Sequence, residues 1–139
     1  MRDATANHPA PLHPGIAMVG RIMFTLIFFL SGIAHFTELA DFVALMPAAI
    51  PFRPFWVMSS GVVELIGATL IVTNTYPRLG GWLIVLFLVP VTITVHGVMM
   101  ITASDPQMAR AQTSFFLKGV AMTGAALLIT QLGVRRSGS

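Results

Sequence analysis

Four long apolar stretches constrain this chain more than any other feature of its sequence. They cover residues 16–36, 54–76, 79–103 and 113–134, and each contains at most one formal charge. A helix needs roughly 20 apolar residues to cross the hydrocarbon core of a bilayer, which is about 30 Å thick. Because lipid offers no hydrogen-bond partners to backbone amides, we expect each stretch to be a membrane-spanning helix.

The composition excludes several other classes of protein. Hydrophobic residues make up 55% of the 139 residues and charged residues 9%, whereas soluble domains carry about 25% charged residues. The eight Lys and Arg residues are scattered, so the chain has no basic stripe of the kind that binds nucleic acid. It has no cysteine, which excludes disulfides, thiolate metal sites and iron–sulfur clusters. No metal site is predicted.

The spacing of the apolar stretches predicts the fold. Short connections make neighbouring helices antiparallel, so the predicted class is all-α, an integral membrane antiparallel four-helix bundle over residues 16–139. Residues 1–15 are expected to be a flexible cytoplasmic tail. Residues 37–53 predict a short amphipathic helix on the membrane surface, with a plain loop as the alternative. Its apolar stripe comprises Phe36, Leu39, Phe42, Val43 and Met46.

The distribution of basic residues predicts the orientation. The amino-terminal side, the carboxy terminus and the connection between the second and third spans share one face, which carries five of the eight basic residues. The opposite face carries Arg53, Arg110 and, inside the fourth span, Lys118. This bias predicts a multi-pass protein of the bacterial inner membrane with both termini in the cytoplasm.

Ionisable side chains from all four spans are predicted to converge in the outer half of the bilayer. At 1.5 Å per residue, Glu64 lies roughly 15 Å deep, Lys118 roughly 9 Å and His96 about 7 Å. His35 and Glu38 close the outer end of the first span. An unpaired charge at the centre of a membrane helix costs about 2.5–3.5 kcal/mol, so we predict a Glu64–Lys118 ion pair. His35 and His96 are expected to line the same outward-facing pocket.

The predicted pocket assigns a role to each polar residue. The candidate catalytic residues are Glu64 and His96, which would transfer protons, and Lys118, which would supply positive charge. The candidate substrate-binding residues are His35, Glu38, Ser60 and Gln112. Small residues three and four positions from Glu64 predict that its side chain points into the bundle, and Pro90 predicts a kink in the third span. The alternative is an ion pair that only fixes which helices pack together.

Several short motifs together resemble the DoxX family of small four-helix membrane proteins. They are Arg21 and Gly32 in the first span, the run GVVELIG at 61–67, Arg78, His96, and Phe116-Leu117-Lys118. The likeness covers roughly residues 20–133, and it implies that Glu64, His96 and Lys118 belong to the family's polar core. The sequence departs from the pattern at two places, because many members have Lys where His35 stands and Asn where Gly119 stands.

The resemblance implies an oxidoreductase component that acts beside the quinone pool, as in quinol oxidase and thiosulfate:quinone oxidoreductase. The chain has no evident redox centre of its own, so a quinone or a partner subunit would carry the electrons. The alternatives are a non-catalytic subunit or scaffold of a larger complex, a small transporter and, weakest, a protein binding b-type haem between His35 and His96. The lipid bilayer is the expected partner, with other redox subunits and a homo-oligomer left open.

Overall fold

The computed structural model describes residues 13–131, which form five helices and, within that range, no β-strand. The helices are α1 (Pro14–Thr37), α2 (Leu39–Leu45), α3 (Arg53–Val72), α4 (Pro77–Thr102) and α5 (Pro106–Gln131). Helices α1, α3, α4 and α5 are long and apolar enough to cross a membrane. The all-α class and the number of candidate spans are therefore confirmed.

The helix bounds differ from the predicted spans at both ends of the described chain. Pro14 and Gly15, predicted to lie in the tail, already belong to α1. Residues 1–12 of that tail, and residues 132–134 of the fourth predicted span, lie outside the described residues. Helix α5 begins at Pro106, seven residues before the predicted start at 113.

The early start of α5 is explained by capping. The Asp105 carboxylate accepts hydrogen bonds from the backbone N–H groups of Gln107 (3.3 Å) and Met108 (3.0 Å). An aspartate that caps the first turn and a proline at the first helical position together favour a helix start. The helix therefore begins at this signal, although its first two turns are too polar to be recognised as a membrane span.

Helix α4 is not uniform along its length. It is α-helical as far as Val91, forms a π-helical segment over Thr92–Gly97, and returns to α-helix over Val98–Thr102. Pro90 lies two residues before the π segment and cannot donate a helix hydrogen bond. The sequence predicted a kink here, and the structure shows a π segment that carries His96.

Glycines set the spacing between the long helices. Helix α1 packs against α3, α3 against α4, and α4 against α5. At each of these contacts, a Cβ atom on one glycine would come closer than 3.0 Å to the facing helix. The pairs are Gly61 with His35, Gly80 with Gly67, and Gly119 with Thr92. Close approach at small residues is typical of helices that pack inside membranes.

A small apolar core lies where the four long helices meet, whereas their outer faces are apolar and exposed. The core residues are Phe28, Ala68, Ile71, Ile84, Leu88 and Ala126. Large exposed side chains occur on every long helix, and examples are Leu30, Ile66, Leu86 and Leu128. A surface of this kind is unlike that of a soluble domain, which rarely exposes large contiguous apolar patches.

Helix α2 lies within residues 37–53, where the sequence predicted a short amphipathic helix. The side chains of Leu39, Phe42 and Val43 are half-buried, as the predicted stripe requires, whereas those of Glu38 and Asp41 are exposed. Helix α2 packs against α1 and α3. Its apolar side therefore lies over the end of α1 that carries His35.

Candidate functional site

The most deeply buried polar group of the described chain is the carboxyl group of Glu64. Glu64 has no exposed surface and His35 is 4% exposed. The two side chains meet because α1 and α3 approach closely where Gly32 and Gly61 face each other. The prediction that Glu64 points between the helices is therefore confirmed.

Three residues form a hydrogen-bonded group that we call the closed cluster: Ser31, His35 and Glu64. His35 Nδ1 lies 2.8 Å from the backbone oxygen of Ser31 and 3.5 Å from Glu64 Oε1. A carbonyl oxygen can only accept a hydrogen bond, so Nδ1 carries a hydrogen. Ser31 Oγ donates to Glu64 Oε1 over 3.3 Å. Because the Nδ1 hydrogen is bonded to the Ser31 backbone oxygen, Glu64 Oε1 accepts one hydrogen bond, from Ser31, and lies 3.5 Å from His35 Nδ1.

The other carboxyl oxygen of Glu64 has a different environment. Glu64 Oε2 is buried and has no hydrogen-bond partner among residues 13–131. Two aromatic rings flank the imidazole of His35, with centroid distances of 4.2 Å to Phe42 on α2 and 5.8 Å to Phe87 on α4. Electrostatic interactions in such an apolar enclosure are stronger than in water. The closed cluster therefore combines a contact between Glu64 and His35 in an apolar enclosure with a Glu64 oxygen, Oε2, that has no hydrogen-bond partner among the described residues.

A second group, which we call the open cluster, comprises His96, Gln112, Phe115 and Lys118. His96 Nδ1 donates to Gln112 Oε1 over 2.9 Å, and the His96 and Phe115 rings are 5.5 Å apart. Gln112 is 7% exposed and His96 is half-buried. The π segment of α4 carries His96, so this contact joins the irregular part of α4 to α5.

Lys118 is exposed, and its Nζ atom lies 5.4 Å from the centroid of the Phe115 ring on the same helix. Among residues 13–131, the ionisable group nearest to the Glu64 carboxyl is His35, at 3.5 Å, and Lys118 forms no ion pair. The predicted Glu64–Lys118 ion pair is therefore wrong. The Phe115 ring provides a cation–π contact instead.

The buried stripe of α5 explains the error. Its members are Gln112, Gly119, Ala126 and Thr130. Successive helical residues are separated by about 100° around the axis, so Lys118 lies well to one side of Gly119 and outside the buried stripe. The small residues Ser114, Ala121 and Gly124, which lie near Lys118 on α5, are exposed, so they do not mark the face that packs against α4.

The remaining predicted site residues lie apart from both clusters. Glu38 is exposed, and Ser60 Oγ donates to the backbone oxygen of Val57 within its own helix over 2.8 Å. Within residues 13–131, no hydrogen bond or ion pair joins the closed cluster to the open one. The structure thus brings the predicted residues together in two pairs, His35 with Glu64 and His96 with Gln112.

Sequence reasoning missed three residues of the closed cluster and its surroundings. Ser31 had a usable signal, because it lies one helical turn before His35 and therefore on the same face. Phe42 belongs to the amphipathic stripe of α2, but nothing in the stripe indicates contact with a histidine. Phe87 had no signal, because it is one apolar residue within a continuous apolar run.

The contact at Gly119 leaves no room for a side chain. A Cβ atom at Gly119 would overlap the side chain of Thr92. Any other residue at this position would require either the Thr92 side chain or α5 itself to move. Thr92 Oγ1 is itself buried without a hydrogen-bond partner among the described residues.

The chain belongs to the family described as "Domain of unknown function (DUF8561)", whose model matches residues 24–130. The matched range contains all of α2, α3 and α4 and most of α1 and α5, so both clusters lie inside it. No curated protein and no solved structure matches the chain.

Proposed function

We propose that this protein spans the bacterial inner membrane, with α1, α3, α4 and α5 as an antiparallel bundle and α2 on the outer surface. Four apolar helices with exposed apolar faces support this placement. The contacts support the antiparallel arrangement, because Gly32 near the end of α1 faces Gly61 near the start of α3, and Gly67 faces Gly80 at the start of α4. The excess of basic residues near the termini favours a cytoplasmic location for both.

Within that bundle, the closed cluster is the proton-exchanging site of a quinone-linked oxidoreductase component. The observation that carries this proposal is the fully buried Glu64 carboxyl group, with one oxygen 3.5 Å from His35 Nδ1 and the other without a partner among the described residues. An ionisable residue inside a membrane is by default a functional candidate.

The proton count of the pair supports this role. A carboxylic acid beside a neutral imidazole has the same number of protons, and the same net charge of zero, as a carboxylate beside an imidazolium. The pair can therefore hold one titratable proton, on Glu64 or on His35 Nε2, with no change in net charge, because His35 Nδ1 keeps its hydrogen on the Ser31 oxygen. Binding or losing a further proton changes the charge by one. Such a change is expensive in an apolar interior, so it must accompany a compensating movement of charge.

Quinol oxidation provides that compensating movement. A quinol that loses two electrons also releases two protons. We assign the first proton to the closed cluster in its state of a carboxylate beside a neutral imidazole, which this proton brings from a net charge of −1 to zero. The second proton passes to water at the outer surface, and both electrons pass to a redox partner in the membrane. The DoxX likeness, which includes the run around Glu64, favours a quinone over other hydrogen donors.

The test is the rate of oxidation of a short-chain quinol in membranes containing the protein, with ferricyanide as the electron acceptor. Glu64→Gln keeps the shape of the side chain and removes its titration, so the rate should fall at least about 100-fold, the lower bound typical of general acid–base catalysis. Glu38→Gln is the matched control, because Glu38 is an exposed carboxylate near the same end of α1. Its rate should stay within about twofold of wild type, well below that catalytic effect. Unchanged turnover in Glu64→Gln, or an equal loss in both variants, would remove Glu64 from the mechanism.

The second candidate function is that of a non-catalytic subunit or scaffold in a larger membrane complex. The exposure of Lys118 in the middle of α5 favours it, because a charge on the outer surface of a membrane helix needs a partner. A wild-type protein that turns over no quinol, but without which a larger complex fails to assemble, would favour this function.

A further inference from the structure

The exposed face of α5 carries a charged residue at the depth where a lipid-facing helix should be apolar. Lys118 is the thirteenth of the 26 residues of α5, so it lies at the middle of the helix. Its side chain is exposed, and the only aromatic contact described for it is with Phe115 on the same helix. Given the membrane placement proposed above, on which this inference rests, the ammonium group would lie in hydrocarbon. Charged groups in that position almost always face other protein or a water-filled cavity.

The described acidic residues of the same chain do not neutralise Lys118. Glu64 has no exposed surface and contacts His35. The other acidic residues of the described range lie at or near helix ends, and they are Glu38, Asp41 and Asp105. A second copy of these residues would bring no exposed carboxylate to the middle of α5 and would add another lysine. The occupant of this surface is therefore expected to be a different protein.

The surface around Lys118 is shaped to receive a helix. Its small members Ser114, Ala121 and Gly124 are exposed, and a Cβ atom at Gly124 would meet nothing within 4 Å. Leu117 on the same side is 60% exposed. Small residues let a second helix approach the backbone closely in a membrane, and a polar group at such a contact forms hydrogen bonds between helices. We call these five residues the Lys118 face.

We infer that the Lys118 face docks a transmembrane helix of another membrane protein, and that this helix carries an Asp or Glu at mid-membrane depth. The carboxylate of the partner forms the ion pair with Lys118, while its backbone packs against the small residues. Charge complementarity determines the choice of occupant, because an apolar helix would leave the ammonium group unpaired.

The test uses the full chain in neutral phosphatidylcholine vesicles with synthetic polyleucine transmembrane peptides that carry Asp, Asn or Leu at the centre. Energy transfer between labelled protein and labelled peptide measures association. The Asp peptide should bind at least tenfold more tightly than the Leu peptide, and Lys118→Met should remove that preference. Arg110→Met is the matched control, because it removes an exposed cation near the start of the same helix and should leave the preference unchanged.

Two further readouts identify the contact itself. Lys118 is the only lysine in the chain, so a carbodiimide that couples amines directly to carboxylates should join the Asp peptide to this residue. Lys118→Glu should transfer the preference to a peptide with a central Lys. Equal binding of the three peptides, or a preference that survives Lys118→Met, would overturn the inference.

A different occupant of the Lys118 face would give a different result in these binding experiments. Self-association that depends on Lys118 and exceeds binding of the Asp peptide would show a second copy there. Lys118-dependent binding of phosphatidylglycerol without a preference for the Asp peptide would show an anionic lipid. Either result overturns the inference. If alkaline carbonate extracts the protein from the vesicles, the membrane placement itself fails, whereas an inserted protein with no Asp preference overturns the docking inference alone.

Discussion

The closed and open clusters each contain a histidine whose Nδ1 donates to an oxygen, yet their surroundings differ. In the closed cluster, His35 is buried between two helices and lies 3.5 Å from a carboxylate oxygen. In the open cluster, His96 is half-buried and bonded to an amide oxygen, and the nearby lysine is exposed. The backbone produces this difference. Glycines bring α1 and α3 close together at the closed cluster, whereas His96 of the open cluster lies in the π segment of α4.

The comparison shows that the two groups differ in residue type and in the burial of their histidines, His35 being buried and His96 half-buried. An interaction in a low-dielectric interior is stronger, and the loss of one partner there is more costly. We therefore expect changes in the closed cluster to affect stability more than equivalent changes in the open one. The following predictions test that ranking, beginning with the largest expected effect.

Gly61→Val should lower the free energy of unfolding by about 1–3 kcal/mol, the usual range for overpacking a close contact. A Cβ atom at Gly61 would lie 2.7 Å from His35 Cβ and 3.0 Å from the backbone oxygen of Gly32, so α1 must move away from α3. Thermal unfolding in detergent measures the effect. Gly124→Val, at a position with open space, is the control, and an equal loss in both variants would contradict the contact.

Ser31→Ala should lower the free energy of unfolding by about 1–2 kcal/mol, because it removes a donor from a buried carboxyl group. Ser114→Ala makes the same change on the exposed face of α5 and should have almost no effect. Unfolding of both variants in the same detergent provides the comparison. If the two variants unfold alike, the hydrogen bond between Ser31 and Glu64 contributes nothing to stability.

Gln112→Leu should cost about 0.5–1.5 kcal/mol, the net value of an ordinary hydrogen bond. It removes the acceptor for His96 Nδ1, but His96 is half-buried and keeps access to other partners. Gln107→Leu, at an exposed position in the first turn of α5, is the control. A loss larger than that of Ser31→Ala would reverse the ranking of the two clusters.

Thr92→Val should raise the free energy of unfolding by at most about 1 kcal/mol, because a buried hydroxyl group without a partner is itself unfavourable. Thr92 Oγ1 has no hydrogen-bond partner among residues 13–131, and valine has nearly the same shape. Thr113→Val is the control, since Thr113 is exposed and its hydroxyl donates to the backbone oxygen of Ala109. A lower unfolding temperature for Thr92→Val would show that the hydroxyl group has a stabilising partner.

The sequence predicts the number and positions of the long helices because hydropathy is averaged over some twenty residues. It locates helix ends less well. The start of α5 at Pro106 was missed because the following residues are polar, although the Asp105-Pro106 pair is itself a start signal. A search for capping residues next to each apolar run would have found it.

The site was partly predictable for a related reason. Small residues on both sides of Glu64 indicated its buried face, and the structure confirms this. The same argument does not place Lys118, because α5 has small residues on two faces and periodicity cannot tell which one packs against α4. A single contact, between Gly119 and Thr92, decides between them. In the sequence, Gly119 and Thr92 are two positions on different helices, and nothing in the sequence marks them as being in contact.

The π segment of α4 also affects how the chain should be aligned with other members of its family. A π turn holds one more residue than an α turn. Deleting one residue within Thr92–Gly97 would therefore restore a regular α turn and leave the residues that follow on the same faces of the helix. In this part of α4, a single-residue gap in an alignment represents the loss of the π turn and not the shortening of a loop.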